Sequence, residues 1–428
     1  MKDFARSDDP AVQAQLDRLA KLSLPQGRFG LETIRTLLAR LGDPQDRLPP
    51  VFHVAGTNGK GSTCAYLRAI LEAGGKVVHT ATKPHLVRYN ERIRIAGTLI
   101  SDAELAARLK TVLDAGEDLA PSFFEVTTAA TFLAFAEHPA DACVIEVGLG
   151  GRFDATNVIE HPAACGIASL GIDHEAFLLT PEDGVPTDPF ERIAFEKAGI
   201  ARPGAPLVTQ AYAKGMTRTI IEHAMQVGAR PAIRDLDWFA EVGERVAYRD
   251  RHGELELPLP ALPGAHQADN AALAVAMVRH QSELSVSVEA MAEGIRAARW
   301  PARLQRLGAG PLTALVPGHA VWLDGGHNPD AGLAIARHFQ EPVHLVVGML
   351  ANKNPAAIVD PLAGRLASLA VIPVPGSESH GAGAFGGTAY PDVAAALGAV
   401  PDDGLPVLIA GSLYLAGEVL RANEEIPD

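Results

Sequence analysis

The chain has 428 residues, 47% of them hydrophobic, enough for two or three cores, and no apolar run long enough to span a membrane. A formal charge of −14 argues against a nucleic-acid binder or a protein held on an acidic membrane, though not against a local basic pocket. Three cysteines (Cys64, Cys143, Cys165) in or near apolar stretches, without C-x-x-C spacing, read as reduced core residues, and the N-terminus lacks a signal-peptide core, so a cytoplasmic location is expected.

Residues 10–42 carry amphipathic helical patterns, interrupted by LPQGRFG at 24–30. Residues 51–62 read VFHVAGTNGKGS, a short apolar run followed by glycines that bracket a lysine. An alanine- and leucine-rich stretch follows and Gly74-Gly75 ends it. That order predicts strand, tight loop, helix. Glycines at 56, 59 and 61 let backbone N–H groups turn inward. The helix start aims its positive dipole end at the same spot, and Lys60 adds a full charge. Such a loop suits phosphate. It departs from a strict Walker A because Gly61 separates Lys60 from Ser62. The plainer alternative is an ordinary glycine-rich turn with a solvated lysine.

Residues 76–81 predict a second strand, and the polar stretch 82–97 a loop entering a hairpin. Helices are expected over 102–115 and 122–136, the latter buried on one side. Residues 142–147 (ACVIEV) and 163–170 predict buried strands that run into GLGGRFDATN and GIDHE. A helix over 190–200 and a strand over 206–210 follow. The alternation predicts a parallel, doubly wound sheet. Residues 238–257 predict a hairpin, and 265–280 and 288–298 predict helices.

Near residue 299 (RWPARLQR) the character changes and a fresh β/α series begins, with strands expected at 320–324, 343–348, 369–374 and 407–410. Two α/β domains are therefore expected. Residues 1–298 are expected to form a P-loop-type, phosphate-binding domain, and 299–428 a smaller Rossmann-like one of about 130 residues, large enough to fold alone.

In open parallel sheets, ligands sit at the carboxyl ends of strands. Glu146, Asp173-His174 and the glycine loop all follow strands and are expected to face one crevice. A buried carboxylate such as Glu146 is costly unless paired or metal-bound, and magnesium beside a triphosphate would account for it; a salt bridge is the alternative. His174 alone reads equally as a hydrogen-bonded structural histidine. Lys197, in FEKAGI, reads alone as a solvated helix lysine or an ion-pair partner. Asp324, His327 and Asn328, in LDGGHNPDAG, crowd a turn before a helix, which could be a capping turn.

At this point the chain resembles, in order and over nearly its whole length, the folate-forming members of the Mur ligase superfamily, folylpolyglutamate synthase and dihydrofolate synthase. The resemblance rests on GTNGKGS (56–62), KPHLVRYNERI (83–93), SFFE (122–125), EVGLGGRFDATN (146–157), DHE (173–175), EKAGI (196–200), HQADNAA (266–272), WPARL (300–304), DGGHNPDAG (324–332), GMLANK (348–353), IPVPG (372–376) and GSLYLAG (411–417). It implies an ATP-dependent amide ligase that phosphorylates a pteroate or folate carboxylate, after which the amine of L-glutamate displaces phosphate. An amine cannot displace hydroxide from a carboxylate usefully, whereas phosphate is a fair leaving group. The charge that builds up in both transition states needs cations and oriented N–H donors.

The resemblance further implies that Asn58, Gly59, Lys60, Gly61 and Ser62 cradle ATP. Glu146 and His174 would bind magnesium, with Lys197 carried as a carbamate that offers an anionic oxygen to a second ion. Gln267, Asn270, Arg303 and Asp324 look like nucleotide contacts, and His327 and Ser412 resemble positions on the glutamate side. The pterin side resembles the family in Phe123, Phe124 and Glu125, in Phe153, Asp154 and Ala155, and in the early loop with Arg28, Phe29 and Gly30. The SFFE and GRFGLE elements look more like bifunctional bacterial enzymes. A typical family member is a monomer acting on small molecules.

Two departures stand out. The family usually has a magnesium-ligating serine before Pro-His-Leu, where this chain has Lys83. A protonated lysine cannot ligate magnesium, so water or Thr82 is expected to fill the site, or Lys83 to contact phosphate directly. Residues 177–189 (FLLTPEDGVPTDP) are longer than expected and read as an acidic surface excursion. Two rivals fit less well. A GTPase-type switch would need N-K-x-D, and Asn352-Lys353-Asn354-Pro355 lacks the aspartate. A peptidoglycan-type Mur ligase usually has another domain before its loop, for which the preceding stretch of about 50 residues is too short. A folylpolyglutamate synthase without the second activity remains the nearer alternative.

Overall fold

In the computed structural model, residues 6–22 and 30–428 are described. The protein packs as two compact units. The first takes the described residues up to 83 together with 89–261 and 268–298; the second takes 84–88, 262–267 and 299–428. Two short segments thus pack with the second unit although they precede residue 299.

The first unit opens with α1 (Pro10–Lys21) and α2 (Glu32–Arg40). Asp9 caps α1 by accepting from the N–H groups of Ala11 and Val12, with Pro10 at the first helical position. Val12, Leu16 and Leu19 recur at helical spacing and are buried. There follow β1 (Val51–Ala55), α3 (Lys60–Ala73), β2 (Val78–Ala81), the hairpin of β3 (Ile93–Ile95) and β4 (Thr98–Leu99), α4 (Asp102–Gly116) and α5 (Phe123–Glu137). Then come β5 (Ala142–Glu146), β6 (Ala164–Ile167), α6 (Glu175–Leu178), α7 (Pro189–Ala198), β7 (Pro206–Thr209), α8 (Lys214–Val227) and β8 (Arg230–Ile233).

These strands form one sheet in the order β4-β3-β2-β5-β1-β6-β7-β8, parallel from β2 to β8 with the β3–β4 hairpin as an antiparallel edge. Every residue of β1, β2, β5, β6 and β7 is buried, as a parallel sheet covered by helices on both faces requires. Along one face, Val51, Cys143 and Ile145 pack with α1, α2, α4 and α5, whereas Ala55, Cys165, Ile167 and Leu207, aligned with them by the register, pack further along with α7 and α8. Strand β1 lies between β5 and β6, with Val54 opposite Glu146 and Ala55 opposite Ile167. The chain leaves β1 on one side and returns on the other, so the loops after β1, β5 and β6 meet at a topological switch point.

The stretch expected as a single hairpin forms three antiparallel strands, β9 (Trp238–Val242), β10 (Val246–Asp250) and β11 (Gly253–Leu257). Helices α9 (His266–His280) and α10 (Val288–Ala297) follow. α10 packs so closely on α3 that a Cβ on Gly294 would meet the Ile70 backbone at 2.4 Å.

The second unit contains β12 (Gln305–Arg306), β13 (Val321–Asp324), α11 (Pro329–His338), β14 (Val343–Val347), α12 (Ala356–Leu362), β15 (Leu366–Val371), β16 (Thr388–Ala389), α13 (Val393–Gly398), β17 (Val407–Ala410) and α14 (Leu413–Ala422). Its sheet runs β12-β13-β17-β14-β15-β16, parallel apart from β12. Alternate residues of β14 and β17 feed opposite faces. Leu345 and Leu408 pack with Ile335 and Ile358, while Val346 and Ile409 pack with Leu415 and Val419. Both sheets match the α/β, doubly wound class expected from the alternation.

Candidate active site

The glycine loop joins β1 to α3. Gly59 caps α3 in the left-handed region, φ +80°, and a Cβ there would fall 2.4 Å from Asn270 Oδ1. Both facts demand glycine, and the second places Asn270 of α9 against the loop. Lys60 is the first residue of α3, and its Nζ curls back to donate to the carbonyls of Gly56 (2.9 Å) and Thr57 (3.2 Å). It is therefore not a solvated lysine. Gly61 and Ser62 lie in the buried first turn of a 14-residue helix, whose leading N–H groups have no intrahelical partners.

Glu146 is the last residue of β5 and is 3% exposed; its Oε2 accepts the backbone N–H of Lys83 at 3.0 Å. Behind it, Asp154 is a hub. One oxygen accepts from the N–H groups of Gly148 (3.0 Å) and Leu149 (2.9 Å), and the other from the N–H (3.0 Å) and hydroxyl (2.5 Å) of Thr156. Since the Thr156 proton goes to Asp154, His53 Nε2, 2.8 Å from that hydroxyl oxygen, must be the donor of its own bond. Burial pushes His53 down to about 3, against the opposing pull of Asp154. Burial also works on Asp154 in the direction of neutrality, but Lys83 and the four donors outweigh it and hold the carboxyl below its ordinary value. Lys83 Nζ stands 4.0 Å from Asp154 Oδ1, and burial lowers its ammonium from the usual lysine value against that charge.

Lys197 sits in the last turn of α7, 4% exposed, and its Nζ donates to the Gly56 carbonyl at 3.0 Å. Two lysines thus converge on one loop oxygen. Burial, then the charge of Lys60, push Lys197 down to about 7 while Asp173, Asp154 and Glu196 oppose. The loop after β5 presses directly onto this helix, since a Cβ on Gly151 would meet Glu196 O at 2.7 Å and Lys197 Cα at 3.0 Å. The next residue, Arg152, bonds Glu196 (3.1 and 2.7 Å) and Glu182 (3.1 and 2.6 Å). Arg192 bonds the same two glutamates, at 2.9 and 3.1 Å. The 177–189 stretch, expected as a surface excursion, is therefore pinned to the lysine helix through Glu182, and Leu178 is buried at 6% exposure.

Gly56, Lys60, Gly148, Asp173, His174 and Lys197 line one narrow cleft, roofed in part by Leu178. His174 takes a left-handed backbone, φ 54°, and its N–H donates to Asp173 Oδ1 at 2.8 Å. Among the described residues, no group of three or more His, Cys, Asp or Glu side chains is arranged to hold a metal. His174 lines the cleft and Glu146 does not, though its neighbours Val147 and Gly148 do; a buried carboxylate there suits a hard cation that brings phosphate and water oxygens with it rather than an all-protein cage.

In the second unit, Asp324 ends β13 and is 7% exposed. Its oxygens accept from Gly326 N (2.7 Å) and Leu304 N (2.8 Å). Ala302 and Leu304 both have positive φ, 54° and 44°, so the chain turns sharply on either side of Arg303. The Arg303 guanidinium donates to Ala302 O at 2.8 Å and lies 3.2 Å from where a Gly325 Cβ would be. His327 Nδ1 is 3.0 Å from Gly325 O, and Asn328 caps α11. Ser412, 4% exposed, caps α14 by accepting from Tyr414 N. Gln267 is fully buried, 3.2 Å from His266 Nε2.

Of the residues expected near the pterin, Arg28 and Phe29 lie outside the described residues, and Gly30 is part-buried. Ser122 and Glu125 form a capping box at the start of α5, in which the Glu125 carboxylate accepts Ser122 N at 2.7 Å. Phe123 meets Tyr89 and Phe124 edge to face, with the Arg92 guanidinium 5.5 Å from its ring centre. Phe153 lies under Arg152 at 4.2 Å, and Ala155 is core. None of the described ones lines the cleft. His53, Thr156 and Glu182 were not singled out from the sequence. The one visible signal was a histidine inside the apolar run VFHVA.

No protein-family model matches the chain. Over 418 residues it is 33% identical to folylpolyglutamate synthase of Lacticaseibacillus casei, covering 90% of this chain and 92% of that protein. The E. coli FolC structure in complex with DHPP and ADP superposes with a TM-score of 0.84 at 31% identity, covering 97% of each chain. A bifunctional folylpolyglutamate synthase/dihydrofolate synthase structure with Mn, AMPPNP and L-glutamate bound gives 0.82 at 32% identity, covering 96% of this chain and 97% of that one.

Proposed function

The chain belongs to the folylpolyglutamate synthase/dihydrofolate synthase family and is an ATP-dependent ligase that adds L-glutamate in folate metabolism, using a divalent metal; from that premise we propose how its residues divide the work. The observation that carries the assignment is the convergence of Lys60 and Lys197 on the Gly56 carbonyl, in the same cleft that receives the ends of β1, β5 and β6.

The loop Asn58–Ser62 and the start of α3 hold the ATP phosphates, with Asn270 bracing the loop and Gln267, Arg303 and Asp324 completing the nucleotide contacts. Glu146 and His174 hold the magnesium that accompanies the triphosphate. When bound, that ion withdraws charge from the phosphoryl oxygens. Lys197, which burial brings to about 7, has enough neutral amine near physiological pH to be carried as a carbamate, a second anionic ligand. A carbon-13 bicarbonate signal that is lost in Lys197→Arg is the expected mark of it, and its absence from the parent protein would rule it out.

Chemically, a folate or dihydropteroate carboxylate oxygen attacks the γ-phosphorus and the bond to ADP breaks. The glutamate amine then attacks the acyl carbon, the carbon–oxygen bond to phosphate breaks, and the amine proton leaves to solvent. His327 and Ser412 serve the glutamate side. Phe123, Phe124, Glu125 and Phe153 shape the pterin side, with Arg28, Phe29 and Gly30. Asp154 and Ala155 contribute by ordering the loop, because all four lone-pair sites of Asp154 are already engaged.

We assign residues 1–298 to the ATP-binding domain and 299–428 to the glutamate-ligase domain of a cytoplasmic monomer. The enzyme is bifunctional. ADP release with glutamate is expected both with dihydropteroate and with tetrahydrofolate offered separately. Turnover with tetrahydrofolate alone would reduce it to a folylpolyglutamate synthase, and turnover with neither would remove the ligase assignment.

A further inference from the structure

The unassigned group closest to the chemistry is Lys83. Its side chain is only 10% exposed, and among the described residues its ammonium makes no hydrogen bond. Three unused donors on a buried cation are costly unless a ligand satisfies them. Two carboxylates, Asp154 and Glu146, act on it through charge, but Asp154 stands at 4.0 Å, beyond hydrogen-bond reach, and Glu146 accepts from the Lys83 backbone instead. The Asp154 carboxylate already accepts from Gly148, Leu149 and, twice, from Thr156, so it has no lone pair left to offer.

The position of the ammonium is fixed from two sides. The backbone N–H of Lys83 is tied to Glu146 at 3.0 Å. Its side chain runs along Gly148, where a Cβ would come within 3.2 Å of Lys83 Cδ and 3.5 Å of Nζ. Gly148 lines the cleft together with Gly56, Lys60 and Lys197. With no side chain at 148, only that glycine of the cleft lining lies between the ammonium and the cleft.

We propose that Lys83 is a catalytic residue whose ammonium donates directly to the phosphoryl group being transferred from ATP to the substrate carboxylate. This rests on the ligase function given above. Lys83 stays protonated while the carboxylate oxygen bonds to the γ-phosphorus and ADP departs, and its charge offsets that of the equatorial oxygens. It supplies from the protein itself part of the positive charge such transfers otherwise draw from metal ions.

The test is calorimetric binding of AMPPNP and of ADP to the parent protein, Lys83→Met and Lys83→Arg, each with and without magnesium. Lys83→Met is expected to weaken AMPPNP binding by about ten- to hundredfold, the range of a charge-assisted hydrogen bond, while ADP binding moves less than about threefold. Lys83→Arg should retain most of the AMPPNP affinity. The AMPPNP loss should appear in metal-free buffer as well. Removing an unsatisfied buried cation should also raise the apo Tm of Lys83→Met. Unchanged AMPPNP affinity in Lys83→Met would overturn the proposal, as would a loss seen only with magnesium. A Lys83→Met protein that failed to fold would show the cation to be structural and overturn it too. These results are independent of the ligase assignment, which fails only if the parent protein itself has no glutamate- and pteroate-dependent ATP turnover.

Discussion

At the scale of single residues, the buried chain from His53 through Thr156 to Asp154 and Lys83 holds Gly148 and Leu149, two residues of the cleft lining, in place. His53 is held neutral by burial, at about 3 against an unfolded value near 6.5. Between those values the unfolded chain binds a proton that the folded chain does not, so stability rises with pH across the window. Its contribution is complete above about 6.5 and is lost as pH falls towards about 3. His53→Gln, which can still donate to Thr156, should remove a loss of about 2–3 kcal/mol between pH 7 and pH 4.5. Urea unfolding of the two proteins at both pH values measures it, and equal acid sensitivity would place the titration elsewhere. The chemistry-bearing residues at this scale were legible because glycines, a lysine and a carboxylate recur at strand ends. The hub was not, since Asp154 read only as a pterin-side candidate and its link to His53 runs through Thr156, which lies 103 positions from His53 in sequence and 2.8 Å from it in space.

At the scale of elements, α7 carries Lys197 and is held by ion pairs rather than by its apolar face alone. Glu182 ties the 177–189 segment to Arg152 and Arg192, while Glu196 holds the same arginines from within the helix. Glu182→Ala leaves two largely buried guanidiniums sharing one carboxylate, and should cost about 1–3 kcal/mol. Lys197 should also exchange its protons with solvent faster, which NMR of the amine or hydrogen exchange over 189–198 would report. No change in either would mean that this largely exposed segment does not brace the helix. Composition alone suggested such a loop, because Pro, Asp and Gly dominate it. The partner arginines lie 30 residues upstream and 10 downstream of Glu182, beyond what local pattern can show. Parallel strands such as ACVIEV were easy to place, as continuous burial leaves a continuous apolar run. The three-stranded β9–β11 sheet read as one hairpin because its solvent-facing residues dilute the alternation.

At the scale of the whole molecule, two α/β units each place their polar side chains at the carboxyl ends of parallel strands. In the first, the loop after β1 and the end of α7 bring Lys60 and Lys197 together on the Gly56 carbonyl, and Glu146 ends β5; in the second, the end of β13 presents Asp324, with Arg303 turned by two strained neighbours. Segments 84–88 and 262–267 belong with the second unit, a feature that a boundary drawn from composition near residue 299 could not contain. Among the described residues, no helix is long and apolar enough to cross a membrane. This scaffold is expected to activate a carboxylate by phosphorylating it. Turnover of tetrahydrofolate with its γ-precursor carboxylate labelled with oxygen-18, in the presence of ATP and L-glutamate, tests it directly. One labelled oxygen should appear in the inorganic phosphate released with each ADP. Phosphate free of label would contradict the acyl-phosphate route and the roles built on it.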